Sequence, residues 1–195
     1  MATAVDRDRK QERVLAAAAA VFAERGFHRA SVRDVVAEAG MSLAGLYHYF
    51  PSKADLLHEI AVRAFDSLLA RLDAAPTGTP RQRLTTFVRN HLWFFLSRPH
   101  EMKVLVRETE SLPAGLVADV EGRKRLYYQR CHDLLREIDG GRGSEDDLRL
   151  ATLALFGMLN WTHSWYRPER DGSPDRLSER ILSLFLDGFA GKAAE

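Results

Sequence analysis

The chain has 195 residues, 28 basic and 27 acidic side chains, and a single cysteine, Cys131. One cysteine excludes an intramolecular disulfide framework and a multi-thiolate metal site, and it favours a reducing cytoplasm. A net charge of +1 does not by itself indicate a nucleic-acid partner, so evidence for one must come from local patterns.

The first part of the chain carries strong helix signals. Apolar residues at helical spacing predict helices over 6–25, 31–39, 43–50 and 52–74. Gly26 and Gly40 stand where the first two should end, Ser31 can cap the second, and Pro51 ends the third. Two prolines and a glycine within 74–80 predict the clearest linker in the chain.

The second part continues with helices alone. The pattern predicts helices over 81–97, 99–110, 116–138 and 146–166, and a final amphipathic helix that carries 177–188. No strand pattern and no internal repeat is present. The sequence therefore predicts an all-α fold with about nine helices.

Two features predict a cytoplasmic protein without a membrane contact. Residues 2–10 are charged and lack the apolar core and the small-residue cleavage site of an export signal. The longest nearly continuous apolar stretch, 150–159, is well short of the roughly 20 residues that a membrane span needs.

The segment 31–50 is typical of a helix-turn-helix, because two short helices flank a turn that contains a glycine. Small residues at Ala37 and Ala39 allow the helices to approach, and a shared core is expected from Val32, Val36, Leu46 and Phe50. The outward face of the second helix carries small or hydrogen-bonding residues, as contact with DNA requires: Ser42, Ala44, Gly45, Tyr47, His48 and Tyr49. Arg33 and Lys53 add positive charge where phosphates should lie. The alternative is an ordinary pair of packed helices with solvated polar faces.

The residue order in this region closely resembles the DNA-binding domain of the TetR family of bacterial repressors. The motifs are GFHRASVRDVV at 26–36, AGMS at 39–42 and LYHYFPSKADL at 46–56. The resemblance implies a homodimer with a three-helix DNA-binding domain at 6–53 and a helical ligand-binding and dimerisation domain at 54–195. Such a regulator binds a pseudo-palindromic operator on double-stranded DNA and releases it when a small molecule binds.

The resemblance also assigns roles by position. It implies phosphate contacts by Ser31, Tyr47, His48 and Lys53, and contacts with bases by Arg33, Ser42, Ala44, Gly45 and Tyr49. Gly45 departs from the family, in which many members have a larger residue such as serine or threonine. This departure weakens the helix and puts base contact at that position in doubt.

The second domain carries a weaker resemblance. Residues 157–168 are similar to a TetR branch that responds to acyl-CoA thioesters, and a repressor that responds to a different hydrophobic ligand, a drug or a metabolite, is the alternative. The resemblance also implies that the chain dimerises through its last two helices. The predicted ligand-binding residues are Phe87, Trp93, Phe94, Met102, Arg107, Tyr127, Tyr128, Met158, Trp161 and Trp165. Plain core packing is the alternative for the aromatic residues. The basic cluster at 123–125 could bind the phosphates of coenzyme A, and a solvated helix face is the alternative for it.

Enzymatic motifs are incomplete. His58-Glu59 and His100-Glu101 each begin a zinc-protease motif, but valine stands where the second histidine would be. We therefore predict no catalytic residue, no metal and no cofactor. A helical module that binds another protein is the remaining alternative, and DNA affinity that depends on sequence and salt would exclude it.

Overall fold

The computed structural model describes residues 4–74 and 77–190, and the side chains of residues 6–74 and 77–188. Within these ranges the fold is all-α without a strand, which confirms the predicted class. The helices are α1 (Ala4–Arg25), α2 (Val32–Ala39), α3 (Leu43–Tyr47), α4 (Lys53–Asp73), α5 (Pro80–Ser97), α6 (Pro99–Arg107), α7 (Ala114–Asp139), α8 (Glu145–Trp165), α9 (Pro168–Asp171) and α10 (Pro174–Ala190).

The described helices number ten instead of the predicted nine. The additional helix is α9, a single turn that begins at Pro168 and ends before Gly172, whose φ is 82°. It was too short to give a periodic pattern. A 3-10 turn at Thr109–Ser111 also follows α6. None of the described helices is long and apolar enough to cross a membrane.

One compact unit contains the described residues up to Phe65 together with Arg98–Arg123. Its core joins α1, α2, α3 and α4 through Phe22, Val35, Leu46 and Leu57, none of which is exposed. Helix α6, although distant in sequence, packs against α1 in this unit. Apolar burial of this kind is the main stabilising contribution to a small helical unit.

The other unit contains Asp66–Ser97 and the described residues from Lys124 onward. Here α5 packs against α8 and α10, with buried Leu84, Phe87 and Leu155 in the core. Cys131 is also buried, and burial raises the pKa of its thiol to about 12. Residues 75 and 76 of the predicted linker, and 191–195 at the end of the chain, lie outside the described residues. The predicted division by function between residues 53 and 54 stays a prediction.

Candidate nucleic-acid interface

The start of α2 is fixed by a capping box. The Ser31 hydroxyl accepts the Asp34 N–H at 3.2 Å, and the Asp34 carboxylate accepts the Ser31 N–H at 2.8 Å. Hydrogen bonds from Ser31, with a smaller effect from Arg25, lower the pKa of Asp34. The cap satisfies two N–H groups that the helix leaves unpaired, so Ser31 and Arg33 are held at a defined end of α2 and both are exposed.

The turn between α2 and α3 needs glycine at position 40. Gly40 has φ 61° and ψ 45°, and its N–H and that of Met41 donate to carbonyls in the last turn of α2. Only glycine adopts this left-handed conformation without strain. Arg13 of α1 donates to the Ala39 carbonyl at 2.6 Å. The turn that orients α3 is therefore held both by its own backbone and by α1.

Helix α3 is shorter than the predicted 43–50 and ends at Tyr47. Ser42 caps it by accepting the Gly45 N–H at 3.1 Å, and Leu46 is completely buried. The N–H groups of Tyr49 and Phe50 both donate to the Leu46 carbonyl, which closes the helix in a tight turn before Pro51. One buried leucine and two caps thus fix a five-residue helix that would be unstable alone.

The presence of glycine at position 45 has a structural explanation. A Cβ at this position would lie 3.1 Å from the Ser42 hydroxyl and 3.2 Å from the Met41 methyl group. A side chain would therefore press on the residue that caps α3. The absence of a larger residue is compatible with the compact local packing of this turn.

Most of the predicted DNA-binding residues lie on α3 or directly beside its two ends. Ser42, Ala44, Tyr47 and His48 are exposed, whereas Gly45 and Tyr49 are half-buried. The His48 and Tyr49 rings meet edge to face at 5.2 Å. This surface is small, polar and aromatic, which suits close approach to a DNA groove.

Sequence analysis missed a set of basic residues on α1. Lys10 and Arg13 line a cleft of about 440 Å³ together with Gly45, His48 and other residues near α3. The Arg7 guanidinium lies 5.9 Å from the centre of the Tyr49 ring. Residues 7, 10 and 13 lie on one side of a helix because they are three residues apart. This spacing is the sequence signal that indicates a basic face on α1.

Lys53 has a different environment from the other predicted contacts. Its ammonium donates to the carbonyls of Phe27 at 2.7 Å and Ala30 at 2.8 Å, with a longer contact to His28 at 3.4 Å. It also lies 4.4 Å from the centre of the Phe27 ring. An ammonium has three N–H donors, so a phosphate would have to compete with these carbonyls.

The predicted ligand-binding residues fall into separate places. Phe87 and Tyr127 are buried and stacked at 4.8 Å, and Tyr128 reaches the same cluster through Phe156 at 6.2 Å. Phe94 is buried against Phe95.

Three other predicted residues make none of the ring contacts described for this cluster. Trp93 is 46% exposed and stacks with the Arg71 guanidinium at 4.3 Å. Met102 is buried and Arg107 is exposed, but both belong to the first compact unit. Met102 and Arg107 therefore do not share a compact unit with the aromatic cluster, whereas Trp93 shares the unit but is exposed.

The aromatic cluster contains a buried histidine that sequence analysis missed. His91 Nδ1 lies 3.1 Å from the Tyr127 hydroxyl, and Nε2 lies 3.2 Å from Asn160 Oδ1. Burial lowers the pKa of His91 to about 3, against a smaller opposing effect of Asn160. Its position one turn after Phe87 in an apolar helix was the available signal.

Met158, Trp161 and Trp165 lie on an outward groove between α8 and α10. The groove has a volume of about 560 Å³ and is completed by α10 residues that include Ile181 and Leu184. Trp161 is 64% exposed and Leu184 is 71% exposed. This is an open apolar surface and not an enclosed pocket.

Family models match both parts of the chain. The model described as "Bacterial regulatory proteins, tetR family" matches residues 14–60, which include α2 and α3. The model described as "Tetracyclin repressor-like, C-terminal domain" matches residues 77–189.

Curated relatives match over almost the whole length. The transcriptional activator FasR of Mycolicibacterium smegmatis is 36% identical, over 94% of this chain and 84% of its own. The transcriptional repressor KstR2 of Rhodococcus jostii is 26% identical, over 93% and 91%. The fatty acid metabolism regulator protein of Bacillus subtilis is 24% identical, over 94% and 97%.

Solved structures share the fold. The structure of the ketosteroid transcriptional regulator KstR2 of Mycobacterium tuberculosis superimposes with a TM-score of 0.79 and 26% identity. It covers 91% of this chain, and the match spans 93% of that chain.

Proposed function

The chain belongs to the TetR family of bacterial regulatory proteins, and on this basis we propose that it is a homodimeric transcriptional repressor whose operator is released by an acyl-CoA thioester. It acts in the cytoplasm, on double-stranded DNA. The observation that carries the DNA-binding part is α3, a short helix capped by Ser42 and anchored by buried Leu46, with its small and hydrogen-bonding side chains exposed.

DNA contact divides between α2 and α3. Ser31 and Arg33 stand at the capped start of α2, where N–H groups and positive charge favour a phosphate or a base edge. The remaining contacts come from α3 and its end: Ser42, Ala44, Gly45, Tyr47, His48 and Tyr49. Basic residues Arg7 and Lys10, beside Tyr49 and the α3 cleft, add phosphate contacts that make binding depend on salt.

The groove between α8 and α10 is the proposed dimer interface. Three large apolar side chains that line the groove are exposed, Trp161, Trp165 and Leu184, and α8 exposes two more in Leu150 and Leu153. Contiguous apolar surface of this kind marks an interaction site, and a second copy of the same face would bury it in a two-fold arrangement. We therefore assign Met158, Trp161 and Trp165 to the dimer and not to the effector.

The effector is proposed from relatives and from one cluster of side chains. The names of the relatives refer to fatty acid metabolism and to a ketosteroid regulator, which supports a hydrophobic metabolite. In the second unit, Phe87, Tyr127 and Tyr128 supply aromatic surface for an acyl chain or a ring, and the cluster includes polar groups on His91 and Asn160. Such a mixture is typical of small-molecule sites.

In this proposal the effector releases the operator by shifting the population of the dimer between two conformations. Two α3 helices must stand about 34 to 36 Å apart, or a multiple of this distance, to enter successive major grooves. An effector that binds better to a dimer with another spacing lowers operator affinity, and a coupling of about 1 to 3 kcal/mol is sufficient. Helix α4 continues from the first unit into the second, so it is the proposed lever.

The test has two stages. A 40-base-pair random library selected on the purified dimer supplies the operator, and fluorescence anisotropy then measures its release. Palmitoyl-CoA, phenylacetyl-CoA and a steroid-derived acyl-CoA are compared with the free acids and with coenzyme A alone, by thermal shift and by DNA release. Thioesters that stabilise the protein and release DNA, when the free acids do neither, support the proposal. Release by free acids alone would contradict it.

Activation is the second candidate, because FasR is named an activator. The same selected operator placed upstream or downstream of a promoter in a reporter strain separates the two. Repression requires that deletion of the regulator raises expression, whereas activation requires that deletion lowers it.

A further inference from the structure

The short turn between α1 and α2, residues 26–30, is held by side chains from two other parts of the chain. Gly26 has φ 79°, and its N–H donates to the Phe22 carbonyl in the last turn of α1. The Ala30 N–H in turn donates to the Gly26 carbonyl. The Phe27 N–H and the carbonyls of Phe27 and Ala30 point instead toward charged side chains. Such backbone groups need partners wherever water is excluded.

Lys53, at the start of α4, supplies the donors. Its ammonium contacts the carbonyls of Phe27, Ala30 and His28, and it lies against the Phe27 ring. All of these contacts are made inside the first compact unit. Its charge is therefore directed at the negative ends of backbone dipoles and not outward at solvent.

Glu108, directly after α6, supplies the acceptor. Its Oε2 accepts the Phe27 N–H at 2.9 Å, and a Cβ on Gly26 would lie 3.8 Å from Oε1. Three residues later the Ser111 hydroxyl lies 3.1 Å from His28 Nε2. The turn is thus bound on one side by a cation at its carbonyls and on the other by an anion at its N–H.

We propose that Lys53 and Glu108 are positioning residues for DNA binding: together they fix the turn at 26–30 and thereby the start of α2. The Ala30 carbonyl held by Lys53 directly precedes Ser31, the residue that caps α2. Movement of this carbonyl moves the cap and the exposed Arg33 beyond it. The inference rests on the proposed function, and it reassigns Lys53 from a phosphate contact to a support of the helices that carry those contacts.

The first test is the salt dependence of operator binding. Lys53→Met keeps most of the aliphatic stem and removes the charge. Affinity should fall about tenfold while the slope of log affinity against log salt stays that of the wild type. Lys10→Met is the matched control, because Lys10 is a proposed phosphate contact whose loss should lower the slope by about one. A slope that falls by about one for Lys53→Met, as loss of a phosphate contact requires, would overturn the proposal.

The second test uses Glu108. Glu108→Ala removes the acceptor and should weaken operator binding about tenfold, whereas Glu108→Gln keeps an oxygen at the Phe27 N–H and should restore most of the affinity. Glu110→Ala, at an exposed residue of the 3-10 turn that follows Glu108, is the matched control and should bind as the wild type. Wild-type affinity for Glu108→Ala would overturn the proposal.

A third measurement does not involve DNA and separates this inference from the proposed function. Amide hydrogen exchange of Phe27 in the full-length protein should be slow in the wild type and in Glu110→Ala, and clearly faster in Glu108→Ala. Unchanged exchange in Glu108→Ala would exclude the contact. A wild type that binds no DNA, yet shows this exchange pattern, would contradict the proposed function and leave the turn contact established.

Discussion

We expect the folded protein to lose stability at acidic pH because His91 is buried in its neutral form. His91 is 2% exposed, and its two ring nitrogens face the Tyr127 hydroxyl and Asn160 Oδ1. An amide oxygen can only accept, so Nε2 carries the proton and Nδ1 accepts from the tyrosine. This pattern satisfies the neutral ring, and burial lowers the pKa of His91 from 6.5 to about 3.

The sign and size of the effect follow from linkage. The folded pKa lies below the unfolded value, so between them the unfolded chain binds more protons than the folded protein. The contribution of His91 to stability is complete above pH 6.5 and is lost progressively as the pH falls toward 3. Protonation of the unfolded imidazole alone lowers the free energy of unfolding by about 2 kcal/mol between pH 7.5 and pH 5.

The assay is urea unfolding at pH 7.5 and pH 5, at one fixed protein concentration because the stability of the proposed dimer would depend on concentration. His91→Gln is the matched variant, since its amide does not titrate and can still hydrogen-bond to Tyr127 and Asn160. The wild type should lose about 2 kcal/mol more than the variant on acidification. Equal losses in both proteins would refute the reasoning, because they would mean that folded His91 gains a proton as easily as the unfolded chain does.

Three further predictions concern the proposed surfaces. Tyr47→Ala should weaken operator binding at least about tenfold without changing the thermal midpoint, because Tyr47 is 47% exposed; wild-type affinity by anisotropy would count against the docking face. Trp161→Glu should give a folded monomer in sedimentation velocity, because it places a charge in an apolar groove; a persistent dimer would exclude this interface. Ser31→Ala should cost about 1 kcal/mol in urea unfolding through the lost capping box, and exposed Ser183→Ala on α10 is its control; equal costs would argue against a specific effect of the cap.

Local chemistry made the helix-turn-helix predictable. Ser31 and Gly40 act within a few residues, through a cap and a left-handed turn, so their roles are visible in the sequence. Ser42, predicted only as a DNA contact, also caps α3 over the same short range. Most of the helix bounds are visible in the sequence as well, because they depend on apolar periodicity. Helix α3 ended earlier than predicted because the hydrogen bonds of Tyr49 and Phe50 to Leu46 close a turn that periodicity cannot distinguish from a helix.

Contacts between distant segments were not predictable. The proximity of Arg7 and Lys10 to Tyr49 and the α3 cleft depends on how α1 packs, and the partners of Lys53 are more than 20 residues away in the chain. The aromatic residues show the same limit. Sequence alone could not tell whether Phe87 and Trp93, both aromatic residues of α5, line a ligand site or have another role. In the structure Phe87 is buried and Trp93 is exposed.

The central claim is that the exposed face of α3 binds a specific DNA sequence. The most direct measurement is anisotropy of the selected operator and of a scrambled duplex of equal length, each titrated from 50 to 200 mM salt with the wild type and with Tyr47→Ala. We predict that the wild type prefers the operator by at least about a thousandfold and loses affinity steeply with salt, and that Tyr47→Ala, which removes a phosphate contact, binds both duplexes at least about tenfold more weakly. Equal binding of both duplexes by the wild type, or no binding at 50 mM salt, would contradict the account.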